Sequence, residues 1–245
     1  MFDHVTIRVS DRAASKRFYA HSFDLLGFAD LRRKGEHFDE WNDFSISQAR
    51  AERPVTRRLH AGFRAGSRAQ VDSWWRALTE FGYESDGDPG PRPEYGPEYY
   101  GAFVLDPDGN SVEAVHNPPL RDDGGTLDHL WLRVRDLGES RRFYETIAPV
   151  VGFEAKPLPD RVHFHSGPMP GTFSVIEGDP TENVHLAFPA PDIPTVEAFH
   201  RTAVEAGYRD NGPPGERPEY HAGYYGAFVL DPDGNNVEAV FHDRR

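Results

Sequence analysis

Residues 99–115 read YYGAFVLDPDGNSVEAV, and residues 224–240 read YYGAFVLDPDGNNVEAV. The two stretches differ at a single position and lie 125 residues apart. The same offset relates other pairs along the chain: Asp3-His4 and Asp128-His129, Arg17-Phe18-Tyr19 and Arg142-Phe143-Tyr144, Gly27-Phe28 and Gly152-Phe153, and His60 and His185. A fixed offset is typical of an internal duplication. The sequence therefore predicts two tandem domains, residues 1–120 and 126–245, joined by a linker at 121–125.

Within each copy, a strand, a helix and further short strands recur in the same order. In the first copy, alternation over Asp3–Val9 predicts a strand, and Ser10-Asp11 offers an N-cap for a helix over Ala13–Phe23. The order restarts with a strand over Leu59–Arg64 and a helix that begins after Ser67. Other short strands are predicted around Phe28–Arg32, Phe38–Trp41, Phe44–Ser47, Tyr99–Leu105 and Ser111–Val115. The sequence thus predicts an α+β fold of four βαβββ modules, in which curved mixed sheets carry helices on one face and form a cup with the other.

Composition limits the classes of function. The 245 residues carry a formal charge of −13, which argues against nucleic acid or an anionic membrane as the main partner. Cysteine is absent, so thiolate nucleophiles, disulfides and cysteine-ligated metals are excluded. The N-terminal residues lead directly into a strand and no apolar run approaches a membrane span, so we expect a cytoplasmic protein. Its chemistry must come from histidine, carboxylate, tyrosine or arginine side chains or from a metal ion.

Two histidines and one glutamate lie on predicted strands in each copy. They are His4, His60 and Glu113 in the first copy, and His129, His185 and Glu238 in the second. Strand alternation places His4 on the polar face with Thr6 and Arg8. Two imidazoles and one carboxylate suit a divalent ion with positions open for a bidentate substrate, and Fe(II), Mn, Co, Ni and Zn all fit such a site. The alternative is that the histidines are hydrogen-bonded structural residues and the glutamates are solvated.

The strand Asp3–Val9, the segment Leu59–Phe63 and the closing turn and strand Asp106–Glu113 together resemble the vicinal oxygen chelate superfamily. This superfamily includes glyoxalases, bleomycin-resistance proteins, epimerases and extradiol ring-cleavage dioxygenases, and the resemblance extends over both copies. It implies paired βαβββ modules that form a metal-lined cup. It also implies that the two His-His-Glu sets match the ligands of the extradiol dioxygenases, one set in each copy. Glyoxalase-type members add a fourth ligand late in the first module, where this sequence has Ser47-Gln48 and Ile176-Glu177.

The sequence departs from the extradiol pattern at the acid–base position. Those enzymes carry a tyrosine three residues before the Asp-Pro turn, where this chain has Phe103 and Phe228. A further histidine of their signature is matched by His221, whereas the first copy has Gly96-Pro97 in that neighbourhood. We therefore expect turnover mainly in the second cup, with His221 and Glu238 as catalytic residues beside His129 and His185. Glu113 is the catalytic candidate of the first cup, and the alternative for His221 is a solvated loop residue.

Arginine and tyrosine side chains are candidates for substrate contact. Arg8 and Arg133 share a predicted face with the first histidine of each copy and suit an anionic oxygen. Tyr100 and Tyr225 belong to tyrosine clusters before the last hairpin and suit stacking on a planar substrate. The alternatives are ion pairs with glutamate for the arginines and core packing for the tyrosines.

Two functions stay open at this stage. The first is a metal-dependent enzyme that chelates two adjacent oxygens of a small substrate, with extradiol dioxygenase-like or glyoxalase-like chemistry. The second is a protein of the bleomycin-resistance type that sequesters a small molecule without turnover. In both cases the expected partner is a small molecule, and the protein is a monomer or homodimer.

Overall fold

The computed structural model describes residues 1–118, 125–167 and 171–243 and has the predicted α+β architecture. Its strands are β1 His4–Val9, β2 Arg32–Lys34, β3 Phe38–Trp41, β4 Phe44–Gln48, β5 Leu59–Arg64, β6 Ser85–Pro91, β7 Tyr100–Leu105, β8 Ser111–His116, β9 Leu127–Val134, β10 Glu154–Pro157, β11 Arg161–His165, β12 Thr172–Glu177, β13 His185–Pro189, β14 Arg209–Glu216, β15 Tyr224–Leu230 and β16 Asn236–His242. Its helices are α1 Arg12–Leu26, α2 Arg68–Glu80, α3 Leu137–Val151 and α4 Ile193–Glu205. The order β-α-β-β-β repeats four times, which confirms the predicted modules.

The strands form two eight-stranded mixed sheets. One has the order β14-β15-β16-β13-β1-β4-β3-β2, and the other has the order β10-β11-β12-β9-β5-β8-β7-β6. Within them β5 pairs in parallel with β8, and β13 pairs in parallel with β16. Parallel neighbours require a crossover connection, which α2 and α4 with their following hairpins supply. The carboxylate strands β8 and β16 therefore lie directly beside the histidine strands β5 and β13.

The chain divides into two compact units. Unit A comprises Met1–Val5 and Leu132–Arg245, and unit B comprises Thr6–Trp131. The first five residues thus group with the second copy of the repeat. Of the predicted linker 121–125, only Gly125 is among the described residues, so the domain boundary stays a prediction.

Local chemistry explains where the helices begin and end. Asp11 and Ser67 are the N-caps of α1 and α2, as predicted, and their side chains accept hydrogen bonds from backbone N–H groups of the first turn. Gly27 ends α1 at φ +83°, a left-handed conformation that favours glycine. On β1, Val5, Ile7 and Val9 are buried, which confirms the apolar face of the alternation.

Three segments differ from the sequence-based expectation. The predicted strand at Phe28–Arg32 is a 3-10 turn over Ala29–Leu31 that leads into β2. The strands β6 and β14 are rich in glycine and proline, and the pattern does not predict them. Both lie at a sheet edge and pair with register shifts, which is where such residues are tolerated in a sheet.

The repeated Asp-Pro-Asp-Gly-Asn turn is anchored to a helix. The hydroxyl of Tyr19 on α1 donates to Asp106 Oδ2 at 2.9 Å, and the backbone N–H of Asn110 donates to Asp106 Oδ1 at 2.8 Å. In the second copy the hydroxyl of Tyr144 donates to Asp231 at 3.2 Å. Burial raises the pKa of Asp231 to about 6, so this carboxylate depends on its donors to remain ionised.

We expect Tyr19→Phe to lower the free energy of unfolding by about 1–3 kcal/mol, because a buried carboxylate then loses a hydrogen bond. Tyr144→Phe should act in the same direction. Urea denaturation measures both, and Tyr83→Phe, whose ring packs on Phe18, is the control for loss of a hydroxyl. Wild-type stability in both variants would show that the helix contact does not support the turn.

The length and hydropathy of the helices bear on whether they could cross a membrane. Across residues 1–118, 125–167 and 171–243, none of the four is long and apolar enough to span a bilayer.

Candidate metal centres

The six predicted ligands lie in two clusters, one in each unit. The A-centre consists of His4, His185 and Glu238, and the B-centre consists of His60, Glu113 and His129. In each cluster the three ligand atoms lie within 4.8 Å of one another. Within the described residues these are the groups of three or more such side chains that could hold a metal ion.

The structure groups the histidines differently from the sequence-based prediction. We predicted one complete set in each copy, with His4 beside His60 and Glu113, and His129 beside His185 and Glu238. That grouping is wrong, because His4 and His129 each lie in the cluster of the other copy. The reason lies in the backbone: the N–H of Asp3 donates to the carbonyl oxygen of Ala187 on β13 at 2.9 Å, which brings the start of β1 to the second copy.

Unit B is built in the corresponding way. The N–H of Arg64 on β5 donates to the carbonyl oxygen of Thr126 at 3.1 Å, which brings the start of β9 to the first copy. His129 then lies beside His60 of β5 and Glu113 of β8. Each centre therefore takes two ligands from a parallel strand pair and the third from the opposite copy.

The spacing of the donor atoms fits a metal ion. In the B-centre, His60 Nε2 and His129 Nε2 are 3.1 Å apart, and they lie 3.1 and 3.2 Å from Glu113 Oε2. In the A-centre, the three corresponding distances among His4, His185 and Glu238 are 3.0, 3.7 and 3.0 Å. Ligands about 2.1 Å from an ion and at right angles to one another lie about 3.0 Å apart. Both donor sets therefore fit three adjacent positions of one divalent ion.

Electrostatics favour a cation in the B-centre. Burial raises the pKa of Glu113, but hydrogen bonds to His129 and His60 outweigh it and lower that pKa to about 2. Burial lowers the pKa of His129, but Asp128 and Glu113 raise it to about 10. The pKa of His60 is lowered by burial. The buried carboxylate thus holds a positive charge beside it, which a metal ion can supply in place of the proton on His129.

Outer groups orient the imidazole rings. His4 Nδ1 lies 2.8 Å from Asp3 Oδ1, and His129 Nδ1 lies 2.8 Å from Asp128 Oδ1. A carboxylate that accepts from Nδ1–H leaves the Nε2 lone pair free to bind a metal. The Asp-His pair occurs in both copies of the repeat, and this repetition is the feature of the sequence that marks the two aspartates.

The structure places His221 in unit A, beside the A-centre. His221 Nε2 is 2.9 Å from His242 Nδ1, and His242 Nε2 donates to Asp3 Oδ2 at 3.0 Å. A chain of polar groups therefore leads from the exposed His221 to His4. The predicted assembly of His221 with His129 is wrong, because His129 belongs to the B-centre. Sequence reasoning missed His242, for which the first copy has Asn117.

The predicted substrate tyrosines lie on the helix-covered face. The hydroxyl of Tyr100 donates to Asp72 of α2 at 2.8 Å, and that of Tyr225 donates to Glu197 of α4 at 3.3 Å. Adjacent strand residues point to opposite faces, so both side chains point away from the carboxylates. The geometry does not support the substrate contact predicted for Tyr100 and Tyr225.

The preceding tyrosines contact the ligands instead. The hydroxyl of Tyr99 donates to Glu113 Oε1 at 2.8 Å, and that of Tyr224 donates to Glu238 Oε1 at 2.6 Å. Both tyrosines are buried. Burial and the neighbouring carboxylate raise the pKa of each hydroxyl, so it keeps its proton and donates. Sequence reasoning assigned no ligand contact to this pair.

The contacts of the two predicted substrate arginines, Arg8 and Arg133, include backbone hydrogen bonds to threonine hydroxyls. The backbone N–H of Arg8 donates to Thr56 Oγ1 at 2.9 Å, and that of Arg133 donates to Thr181 Oγ1 at 3.0 Å. The Arg133 side chain is exposed and its stem runs past Gly178. Substrate contact by either arginine stays a prediction.

The regions suggested for a fourth ligand supply none to these clusters. The Gln48 side chain accepts from Arg12 N at 3.1 Å and donates to the carbonyl oxygen of Ser10 at 2.9 Å, so it serves the start of α1. Glu177 is exposed at the end of β12. Each cluster has three ligands among the described residues.

Phenylalanine rings lie beside the histidines. The ring of Phe103 is 5.7 Å from that of His60, and the ring of Phe228 is 6.2 Å from that of His185. They occupy the place of the acid–base tyrosine of the extradiol pattern. At this position each centre therefore has a phenylalanine ring in place of a phenol.

Comparison with known proteins agrees with this architecture. The family model described as Glyoxalase/Bleomycin resistance protein/Dioxygenase superfamily matches residues 1–114 and again 126–239. Glyoxalase I from Zea mays has a similar fold, with a TM-score of 0.69 and 21% identity over 98% of this chain and 92% of that chain. A candidate dioxygenase from Bacillus subtilis has a TM-score of 0.65 and 14% identity over 99% of this chain and 85% of that one. No curated protein gives a significant match.

Proposed function

Since this chain belongs to the Glyoxalase/Bleomycin resistance protein/Dioxygenase superfamily, we propose that it is a metal-dependent enzyme whose small substrate is chelated through two neighbouring oxygens. The observation that carries the proposal is the pair of His-His-Glu clusters, with ligand atoms 3.0–3.7 Å apart at both centres. Three protein ligands on one side of an ion leave adjacent positions for two substrate oxygens.

The residues of each centre have different roles in the proposed reaction. When bound, the metal supplies Lewis-acid chemistry to a substrate oxygen. Asp3 and Asp128 hold His4 and His129 with Nε2 facing the centre. The rings of Phe103 and Phe228 line one side of each centre with apolar atoms, next to His60 and His185.

Proton transfer distinguishes the two centres. In the A-centre, His221 lies within hydrogen-bond distance of His242, and His242 of Asp3; an imidazole ring can donate a proton at one nitrogen and accept one at the other. At the equivalent positions, 125 residues earlier, the B-centre has Gly96 and Asn117. We therefore assign turnover mainly to the A-centre, with His221 as the group that exchanges protons with solvent.

The proposal is tested by metal analysis followed by an activity panel. Protein purified without added metal should contain up to two divalent ions per chain, and catechols, dicarbonyls and hydroxy-ketones should be assayed with Fe(II), Mn, Co, Ni and Zn. Turnover that depends on added metal supports an enzyme. Tight stoichiometric binding of a small molecule without turnover would support the sequestering alternative, and a chain that binds no metal would overturn the proposal.

We expect His221→Ala to reduce turnover per bound metal by about 10²-fold, in the range typical of a lost acid or base. Metal content should not change, because His221 is not a ligand. His37→Ala, which removes an exposed histidine of unit B, is the control. Equal turnover in His221→Ala and His37→Ala would show that His221 is a solvated loop residue without a role in proton transfer.

A further inference from the structure

Resting on the proposed metal function, we infer that Tyr224 and Tyr99 are positioning residues that restrict the glutamate of each centre to binding metal through one oxygen. The two carboxylate oxygens of Glu238 have different partners. Oε1 accepts the Tyr224 hydroxyl at 2.6 Å, while Oε2 lies 3.0 Å from His185 Nε2. Only Oε2 therefore faces the histidine nitrogens of the cluster.

The B-centre repeats this division of the carboxylate. Glu113 Oε1 accepts the Tyr99 hydroxyl at 2.8 Å, and Oε2 lies 3.1 Å from His60 Nε2. Both glutamates are 1% exposed and both tyrosines are 6% exposed. With so little access to water, the hydroxyl is the donor that compensates Oε1 for burial.

The neighbouring backbone closes the far side of the carboxylate. Gly226 on β15 and Gly101 on β7 lie so close to Oε1 of Glu238 and Glu113 that a Cβ at either position would overlap that oxygen. At Gly226 a Cβ would also lie 3.1 Å from the ring of Tyr224. The tyrosine hydroxyl and the glycine backbone therefore both lie against Oε1.

This arrangement gives the glutamates one role. Oε1 accepts the tyrosine hydroxyl and lies against the backbone at the glycine, so Oε2 is the oxygen directed at the histidine nitrogens. Glu238 and Glu113 are therefore placed to bind the metal through Oε2 alone. The tyrosines act through the glutamate and do not contact the reacting atoms.

The next residue along each strand provides a matched control. Tyr225 and Tyr100 also donate a hydroxyl to a carboxylate, but on the helix-covered face. A phenylalanine substitution there removes the same atom and the same type of hydrogen bond from the adjacent residue. A difference between the adjacent variants then reports on the metal centre.

The experiment uses the full chain and Co(II) as the probe. The His60→Ala background leaves the A-centre, in which Tyr224→Phe is compared with Tyr225→Phe; the His4→Ala background leaves the B-centre, in which Tyr99→Phe is compared with Tyr100→Phe. Cobalt titration gives the affinity, and the visible absorption of Co(II) reports the number and arrangement of its ligands. Far-ultraviolet circular dichroism checks that each variant is folded.

We expect Tyr224→Phe and Tyr99→Phe to bind Co(II) about 10–100-fold more weakly, because the glutamate loses the donor that orients it. The absorption spectrum should also change, because the released oxygen can then join the ion. The two control variants should keep the parental spectrum and bind within about twofold of the parent, since their carboxylates are not ligands. Spectra and affinities that match the controls would overturn the inference while leaving the proposed function in place. A parent that binds no cobalt at either centre would overturn the proposed function itself.

Discussion

The double variant His4→Ala, His60→Ala should lose both metal equivalents, although both histidines belong to the first copy of the repeat. His4 is a ligand of the A-centre and His60 of the B-centre, so one ligand is missing from each. The double variant His4→Ala, His185→Ala should lose only one equivalent, because both of its substitutions fall in the A-centre. Metal content per chain, measured by elemental analysis after dialysis, distinguishes the two variants.

Pairs from the B-centre supply the complementary control. The double variant His60→Ala, His129→Ala should retain the one ion of the A-centre. Grouping by repeat predicts the opposite pattern, with one equivalent kept in the His4, His60 variant and none in the His4, His185 variant. That opposite pattern would contradict the contacts of β1 and β9 described above.

Gly226→Ala should weaken metal binding at the A-centre, because the new methyl group overlaps Glu238 Oε1 and displaces the carboxylate from its position between Tyr224 and His185. Displacing a buried ionised group also lowers stability, and we expect a loss of about 2–4 kcal/mol in the free energy of unfolding. Gly101→Ala should have the same effect on the B-centre. Metal titration and urea denaturation measure the two consequences.

Two glycines of ordinary backbone conformation serve as controls for these substitutions. A Cβ at Gly178 in unit A would meet its nearest atom at 3.5 Å, and one at Gly96 in unit B would meet its nearest atom at 3.8 Å. Both are ordinary contact distances, so Gly178→Ala and Gly96→Ala should leave metal content unchanged. Full metal content in Gly226→Ala would show that the carboxylate can move without losing the ion.

Strand alternation and the 125-residue offset are local or directly visible, and they predict the six residues that lie together in the two clusters. The pairing of strands is not visible in this way. A strand such as β1 has the same alternation whichever strand it joins, so the pattern places His4 on a face but does not choose its partners. The hydrogen bond from Asp3 to Ala187 joins residues far apart in the chain, and no motif marks it.

The sequence also does not determine which of two adjacent tyrosines contacts the glutamate. Tyr99 and Tyr100 are adjacent, and composition does not say which of them faces the carboxylate. The face depends on the register of β7 with β8, in which Phe103 pairs with Glu113. The edge strands β6 and β14 were missed for a different reason, because glycine and proline predict turns wherever they cluster.

The exchange of His4 and His129 between the copies has a genetic consequence. Each copy contributes two ligands to one centre and one to the other, so deleting either copy removes part of both. A duplicated gene normally leaves one copy free to decay or to acquire a new activity. In this chain neither copy has that freedom, since the loss of a whole copy would remove ligands from both clusters, and selection on either cluster therefore acts on both copies together.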